Sequence, residues 1–160
     1  MIEGIFHNMP EAEYHAVKAC SNSVLSTIAT KSPAHVWVER DATPAQVTGT
    51  ALHMAVLEPN RFAECVVVAP DVNRRTKEGK AIYADFLERN GDKTIVSAED
   101  HAEMKMIQSI VWADDAARKR FDKGQAEVSV FWVRDGIQCK ARFDFISELG
   151  VAVDLKSTRN

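Results

Sequence analysis

One hundred and sixty residues are enough for one domain with a real core and too few for two comfortable ones. With 46% hydrophobic and 27% charged residues and no low-complexity tract, the composition is that of an ordinary globular chain and excludes a disordered one. A net charge of -3 supplies no global attraction to nucleic acid or membrane, so any contact with either must come from a local patch.

Cys20, Cys65 and Cys139 are widely spaced and form no C-x-x-C pair, which excludes the common zinc and redox motifs and predicts reduced, mostly buried thiols. The start, MIEGIFHNMPEAEYH, carries acidic residues where a signal peptide needs a basic start and an apolar run. No apolar stretch approaches the roughly 18 residues of a membrane span. A cytoplasmic protein without a membrane partner is the expectation.

After an irregular start, residues 21–40 read as helical, capped at Ser21 or Ser23 and interrupted at Pro33, where Ser32-Pro33 opens a second short helix. A polar loop over 41–46 precedes a compact helix over 48–59. Thr48 or Thr50 caps it, Leu52, Ala55 and Val56 form its apolar stripe, and Pro59 stops it. The β-branched run in 62–70 predicts a strand, followed by a basic loop over 71–80 and a helix over 81–90 closed by Asn90-Gly91. A short extended piece at 94–97 leads into a helix over 98–119, with Ser97 as its cap and Asp100 favouring the dipole. The three tryptophans, Trp37, Trp112 and Trp132, are expected in the core rather than as base-stacking platforms.

The last third changes period. Segments 126–134, 137–146 and 151–156 alternate or run apolar and predict a three-stranded antiparallel meander. Asp135-Gly136 is a favoured two-residue hairpin loop, which pairs Arg134 with Ile137 and sets Glu127 opposite Asp144. A three-residue loop, Glu148-Leu149-Gly150, pairs Ser147 with Val151 and sets Asp144 opposite Asp154. Directly opposed carboxylates about 5 Å apart repel. A divalent cation relieves that repulsion: Mg²⁺ takes one or two carboxylates, keeps several waters and suits phosphate chemistry. Lys156 falls on the same face as Asp154, where an ammonium stabilises negative charge on a phosphate or helps position an attacking water. The competing expectation is plainer. Gln138, Lys140, Arg142 and Asp144 alternate with apolar residues as in any half-solvated antiparallel strand of a structural protein.

The stretches GTALHMAVLEPNRF (49–62), VAPDVNRRTKEGK (68–80), RFDFI (142–146) and VAVDLKST (151–158), with EAEYHAVKACSNSVLSTIATKSPAH (11–35), resemble exonuclease VIII over nearly the whole chain. That is the phage and prophage recombination exonuclease, whose nuclease domain belongs to the PD-(D/E)XK superfamily. The resemblance implies an α/β fold, a restriction-endonuclease-like core with an antiparallel meander flanked by helices. It implies one nuclease domain over 1–160, partial because the helix and strands that follow the Asp-x-Lys strand in the family lie beyond Asn160. It implies metal ligands at His53, Asp144 and Asp154, with Glu127 as a further acidic residue near the site, and Lys156 as the catalytic lysine beside Asp144 and Asp154. Mg²⁺ is the implied cofactor; imidazole at His53 is more at home with Mn²⁺. Arg74, Arg75, Lys77 and Lys80 are candidates for sequence-independent phosphate contacts, or a plain solvated loop.

The activity implied is digestion of double-stranded DNA from 5′ ends. The partners implied are a single-strand annealing protein and a homo-oligomer that encircles DNA. The alternative is a non-catalytic remnant that binds DNA or pairs with another subunit.

Overall fold

The structure is a computed structural model and describes residues 1–38 and 42–156. The parts of the sequence expectations that fall on 39–41 and 157–160, including the end of the 151–158 motif, lie outside the described residues. In chain order the elements are β1 (Gly4–Phe6), α1 (Glu11–Ala16), α2 (Asn22–Thr30), a 3-10 turn (Pro33–His35), α3 (Pro44–Leu57), α4 (Pro59–Cys65) and β2 (Val66–Val68). They continue with α5 (Lys77–Asn90), β3 (Thr94–Val96), α6 (Ala98–Ala113), α7 (Asp115–Phe121), β4 (Gly124–Arg134), β5 (Ile137–Ser147) and β6 (Ala152–Val153). The chain divides into two compact units, one built from Met1–Asp41 and Lys119–Asn160, the other from Ala42–Arg118. Among the described residues, no helix is long and apolar enough to cross a membrane.

The first unit holds a four-stranded antiparallel sheet in the order β1-β4-β5-β6, so the meander gains β1 at its edge. At three residues β1 is too short to show a period in the sequence. Its pairing brings Phe6 against Phe131, ring centroids 5.6 Å apart and edge to face, and Tyr14 of α1 closes on the same ring at 5.9 Å. On the opposite face Phe121 meets Phe145 at 5.3 Å over the fully buried Val128. Both faces of the sheet are therefore covered over part of their length. α2 starts at Ser21, whose Oγ accepts from the Val24 amide, one of the two caps expected.

The second unit packs α3 against α6 beside a two-stranded parallel ribbon of β2 and β3. α3 starts earlier than its apolar stripe suggested. Thr43 and Gln46 form a capping box with Pro44 in the first turn, so the helix takes in residues read as loop. Residues 62–65 belong to α4 and not to a strand. Pro59 suits a first turn, and only the valine run 66–68 is extended. Ala51, Leu52, Met54, Ala55 and Val56 are buried, and α6 caps the end of α3 with side chains: Gln108 donates to the Ala55 carbonyl at 2.6 Å and Trp112 to the Val56 carbonyl at 2.9 Å. The predicted helix over 98–119 is broken once. Asp114 is extended, and its carboxylate accepts from the Ala117 amide, which restarts the chain as α7.

Candidate active site

Alternation along β5 puts Lys140, Arg142 and Asp144 on one face of the sheet. A half-solvated strand would turn this row to water, and it does not. Lys140 is 8% exposed, and its ammonium donates to the carbonyls of Tyr14 at 2.9 Å and Val17 at 2.7 Å. These are carbonyls at the end of α1 that lack helical partners, so Lys140 serves as their cap. The ammonium also lies 4.5 Å from the Tyr14 ring centre. Burial pushes the Lys140 ammonium below the usual lysine range and the Tyr14 phenol above its own, the latter opposed by the nearby Arg142 charge.

Arg142 is the hub of the row. Its Nε donates to Glu127 Oε2 at 2.6 Å, and one terminal nitrogen donates to the Met9 carbonyl at 3.0 Å and to Ser129 Oγ at 2.9 Å. Here the sequence expectation for Glu127 needs correcting. The first hairpin keeps its expected register on both sides, with Arg134 against Ile137, Val128 against Phe143 and Ala126 against Phe145. Glu127 itself drops out of the ladder with a φ of 54°, in the left-handed region that a non-glycine residue rarely occupies. Its carboxylate is neutralised by a guanidinium rather than set against Asp144 as a bare like charge.

The second hairpin has the expected register and turn. The Ser147 amide donates to the Val151 carbonyl at 2.9 Å, Gly150 takes a φ of 75°, and Ile146 pairs with Ala152 and Phe145 with Val153. The ladder ends with β6 at Val153, one step short of the expected Asp144–Asp154 pair. There the Leu155 amide donates to Asp144 Oδ2 at 2.7 Å. Lys156 Nζ lies 3.0 Å from Asp154 Oδ1 and 2.9 Å from Oδ2. The hydrogen bond to Asp154 is the main reason that the Lys156 ammonium is held above the usual lysine range; desolvation opposes it, and the charges of Asp154 and Asp144 add to it. Asp144 is half-buried, while Asp154 and Lys156 are exposed.

His53 lies in the second unit, half-buried on α3, and is described there by itself. Among the described residues no three His, Cys, Asp or Glu side chains gather as a metal site, so within the first unit Glu127, Asp144 and Asp154 do not form one cluster. The physical reasons visible are local. Arg142 takes up Glu127, Lys156 takes up Asp154, and a backbone amide holds one oxygen of Asp144.

The basic loop is shorter than the sequence suggested, because Thr76 caps α5 and brings Lys77 and Lys80 into its first turn. Arg74 lies 4.7 Å over the Tyr83 ring, and Asn73 Oδ1 accepts from the Arg75 amide. All four cations of the group are exposed. Gly79 is what lets the loop fold back: a Cβ there would lie 2.1 Å from the Asn73 carbonyl oxygen. Gly79→Ala is expected to destabilise the protein by roughly 1–3 kcal/mol through that clash. A urea denaturation curve checks it, and a midpoint unchanged from the parent would show that the loop relaxes freely.

A model of the PDDEXK-like domain of unknown function (DUF3799) matches residues 13–160. The chain belongs to that family. No curated protein and no solved structure is significantly similar to it. As a PDDEXK-like domain it belongs to the PD-(D/E)XK superfamily expected from the resemblance, and its mixed α/β fold with an antiparallel sheet and flanking helices agrees with that membership. Membership points to a nuclease, and PD-(D/E)XK nucleases generally use divalent metals. The residues of the second hairpin fit such an ion in their chemistry: Asp144 and Asp154 offer hard oxygen donors, and the charges of both reach Lys156. Trp37 is 59% exposed and Trp132 39% exposed, contrary to the expectation that the three tryptophans are core.

Proposed function

We propose that this PDDEXK-like domain is a metal-dependent exodeoxyribonuclease of the exonuclease VIII type, acting on the ends of double-stranded DNA. The observation that carries the reading is the meeting of Asp144, Asp154 and Lys156 at the end of the β5–β6 hairpin. Asp144 and Asp154 would hold the divalent cation, Mg²⁺ by preference for an all-oxygen site. When bound, such an ion polarises the phosphodiester and lowers the pKa of a coordinated water.

The chain's own groups do the rest. The Leu155 amide fixes one oxygen of Asp144 and so sets the direction of its carboxylate. In the metal-free protein the two carboxylate neighbours of Lys156 favour its ammonium form. As an ammonium it serves as a charge: released from Asp154, it neutralises a non-bridging phosphate oxygen or orients the attacking water. Arg142, locked to Glu127, Ser129 and Met9, keeps β4 and β5 in the register that aims Asp144. Glu127 acts here as a positioning residue for Arg142. The exposed Arg74, Arg75, Lys77 and Lys80 suit sequence-independent phosphate contacts.

The resemblance adds His53 to the ligand set, 5′ to 3′ polarity, a 3′ overhang as product, and a single-strand annealing protein as its recipient. Digestion of end-labelled linear duplex, against covalently closed circular duplex, with Mg²⁺, Mn²⁺ or EDTA, tests the reading. Loss of linear DNA only, and only with metal, is expected. Equal loss of both forms, or loss in EDTA, would contradict it.

A further inference from the structure

We propose that a groove in the first unit binds a single-stranded stretch of nucleic acid, with a base stacked on Trp37 and the backbone drawn by Lys18 and Lys140. The inference deepens the nuclease reading and rests on it for the class of ligand. The groove has a volume of about 1170 Å³ and is lined by residues of α1, the start of α2, the 3-10 turn region and β5, among them His15, Lys18, Ser21, Trp37, Lys140 and Arg142. That volume exceeds the roughly 300–1,000 Å³ of most small-molecule sites and favours a segment of a polymer.

Charge selects the polymer. The chain as a whole is acidic at -3, yet none of the described residues that line the groove is Asp or Glu. Arg142 is spent on Glu127, but Lys140 is held by two carbonyls rather than by a carboxylate, so its positive charge is left to act along the groove. An electropositive channel that carries an aromatic platform is the combination that single-stranded nucleic acids use, since phosphates supply the charge and every base offers a flat face. Trp37 is that platform. Its side chain is 59% exposed, and Lys18 Nζ stands 6.0 Å from the ring centre. Two contacts of about 3.5 Å each, one to either side of an inserted base, need about 7 Å. A shift of the flexible Lys18 side chain by about 1 Å admits the base and leaves the ammonium over its outer face.

A duplex keeps its bases stacked on one another and offers Trp37 none of their faces, which is why the ligand is a single strand. Arg142 lines the groove, and Asp144 follows it two residues on along the same face of β5.

The test measures binding of a fluorescein-labelled oligothymidylate to the full chain in EDTA, where no metal-dependent cleavage occurs. Salt-sensitive binding is expected, about 5- to 150-fold weaker in Trp37→Ala, the range that stacking of a base on an aromatic covers. Trp37→Phe, which keeps a flat ring, is expected to stay within about threefold, and Lys18→Glu to weaken binding and flatten the salt dependence. Circular dichroism of each variant checks its fold. Oligothymidylate binding unchanged in Trp37→Ala would overturn the proposal. So would polyglutamate competing as well as the oligonucleotide, since that would mean charge alone. Digestion of linear duplex by the same preparations separates the two readings. Digestion with no effect of Trp37→Ala on binding removes the groove and keeps the nuclease; Trp37-dependent binding without digestion does the reverse.

Discussion

Asp154→Asn is expected to abolish metal-dependent digestion of linear duplex DNA while leaving the fold intact. Charge stabilisation by a bound divalent ion amounts to several kcal/mol, and each 1.36 kcal/mol is a factor of ten, so the loss is at least about 1,000-fold. Asparagine keeps the shape of the side chain and one acceptor oxygen but removes the charge that a hard cation requires. Stability hardly enters. Asp154 and Lys156 form an exposed pair, with side-chain exposures of 64% and 76%, and such pairs contribute less than about 1 kcal/mol. Asp144→Asn is expected to give the same loss of activity with a larger effect on the local fold, because Asp144 Oδ2 accepts the Leu155 amide. If Asp154→Asn digests linear duplex at the parental rate, the acid pair is not the metal site.

Arg142→Ala is expected to have the largest effect on stability, about 3 kcal/mol. The reason is the set of partners left behind. Glu127, with only 25% of its side chain exposed, would keep a carboxylate with no cation beside it. Ser129 Oγ, fully buried, and the Met9 carbonyl would each lose a donor. Removing one member of a buried pair costs about 3–5 kcal/mol, and the partial exposure here puts the value at the low end. Arg142→Lys keeps the charge but not the fork that reaches three acceptors, and is expected to recover only part of the loss. Urea denaturation measures both variants. A cost below about 0.5 kcal/mol for Arg142→Ala would mean that the hub is a surface pair of the ordinary weak kind.

The hairpins were legible in the sequence because their turns carry their own chemistry. Asp135-Gly136 and the glycine at position 150 fix loop length, and loop length fixes register, over the whole first hairpin and over the two pairs of the second. Helix starts were less legible where a proline follows the cap: Thr43 before Pro44 looked like the end of a loop, and the apolar stripe begins well inside the helix. The valine run at 66–68 pulled its neighbours into a strand that Pro59 and the helix formers after it prevent.

What the sequence did not disclose depends on contacts far apart in the chain. Arg142 reaching Met9 and Lys140 reaching Tyr14 are separated by well over a hundred residues, and alternation alone assigned both to water. The left-handed backbone at Glu127 has no residue type to announce it. The exposure of Trp37 has none either, since tryptophan is read as core by default. The candidate residues were thus legible as a pattern along β5 and the end of its hairpin, while the contacts that hold Arg142 and Lys140 were not.

Binding of Mn²⁺, followed by the loss of its free-ion electron paramagnetic resonance signal, bears most directly on the claim that Asp144 and Asp154 together hold a divalent cation. The parent protein is expected to bind Mn²⁺, with Mg²⁺ displacing it, and both Asp144→Asn and Asp154→Asn are expected to lose that binding while Glu127→Gln retains it. Binding that survives in both aspartate variants, or that disappears only in Glu127→Gln, would contradict it.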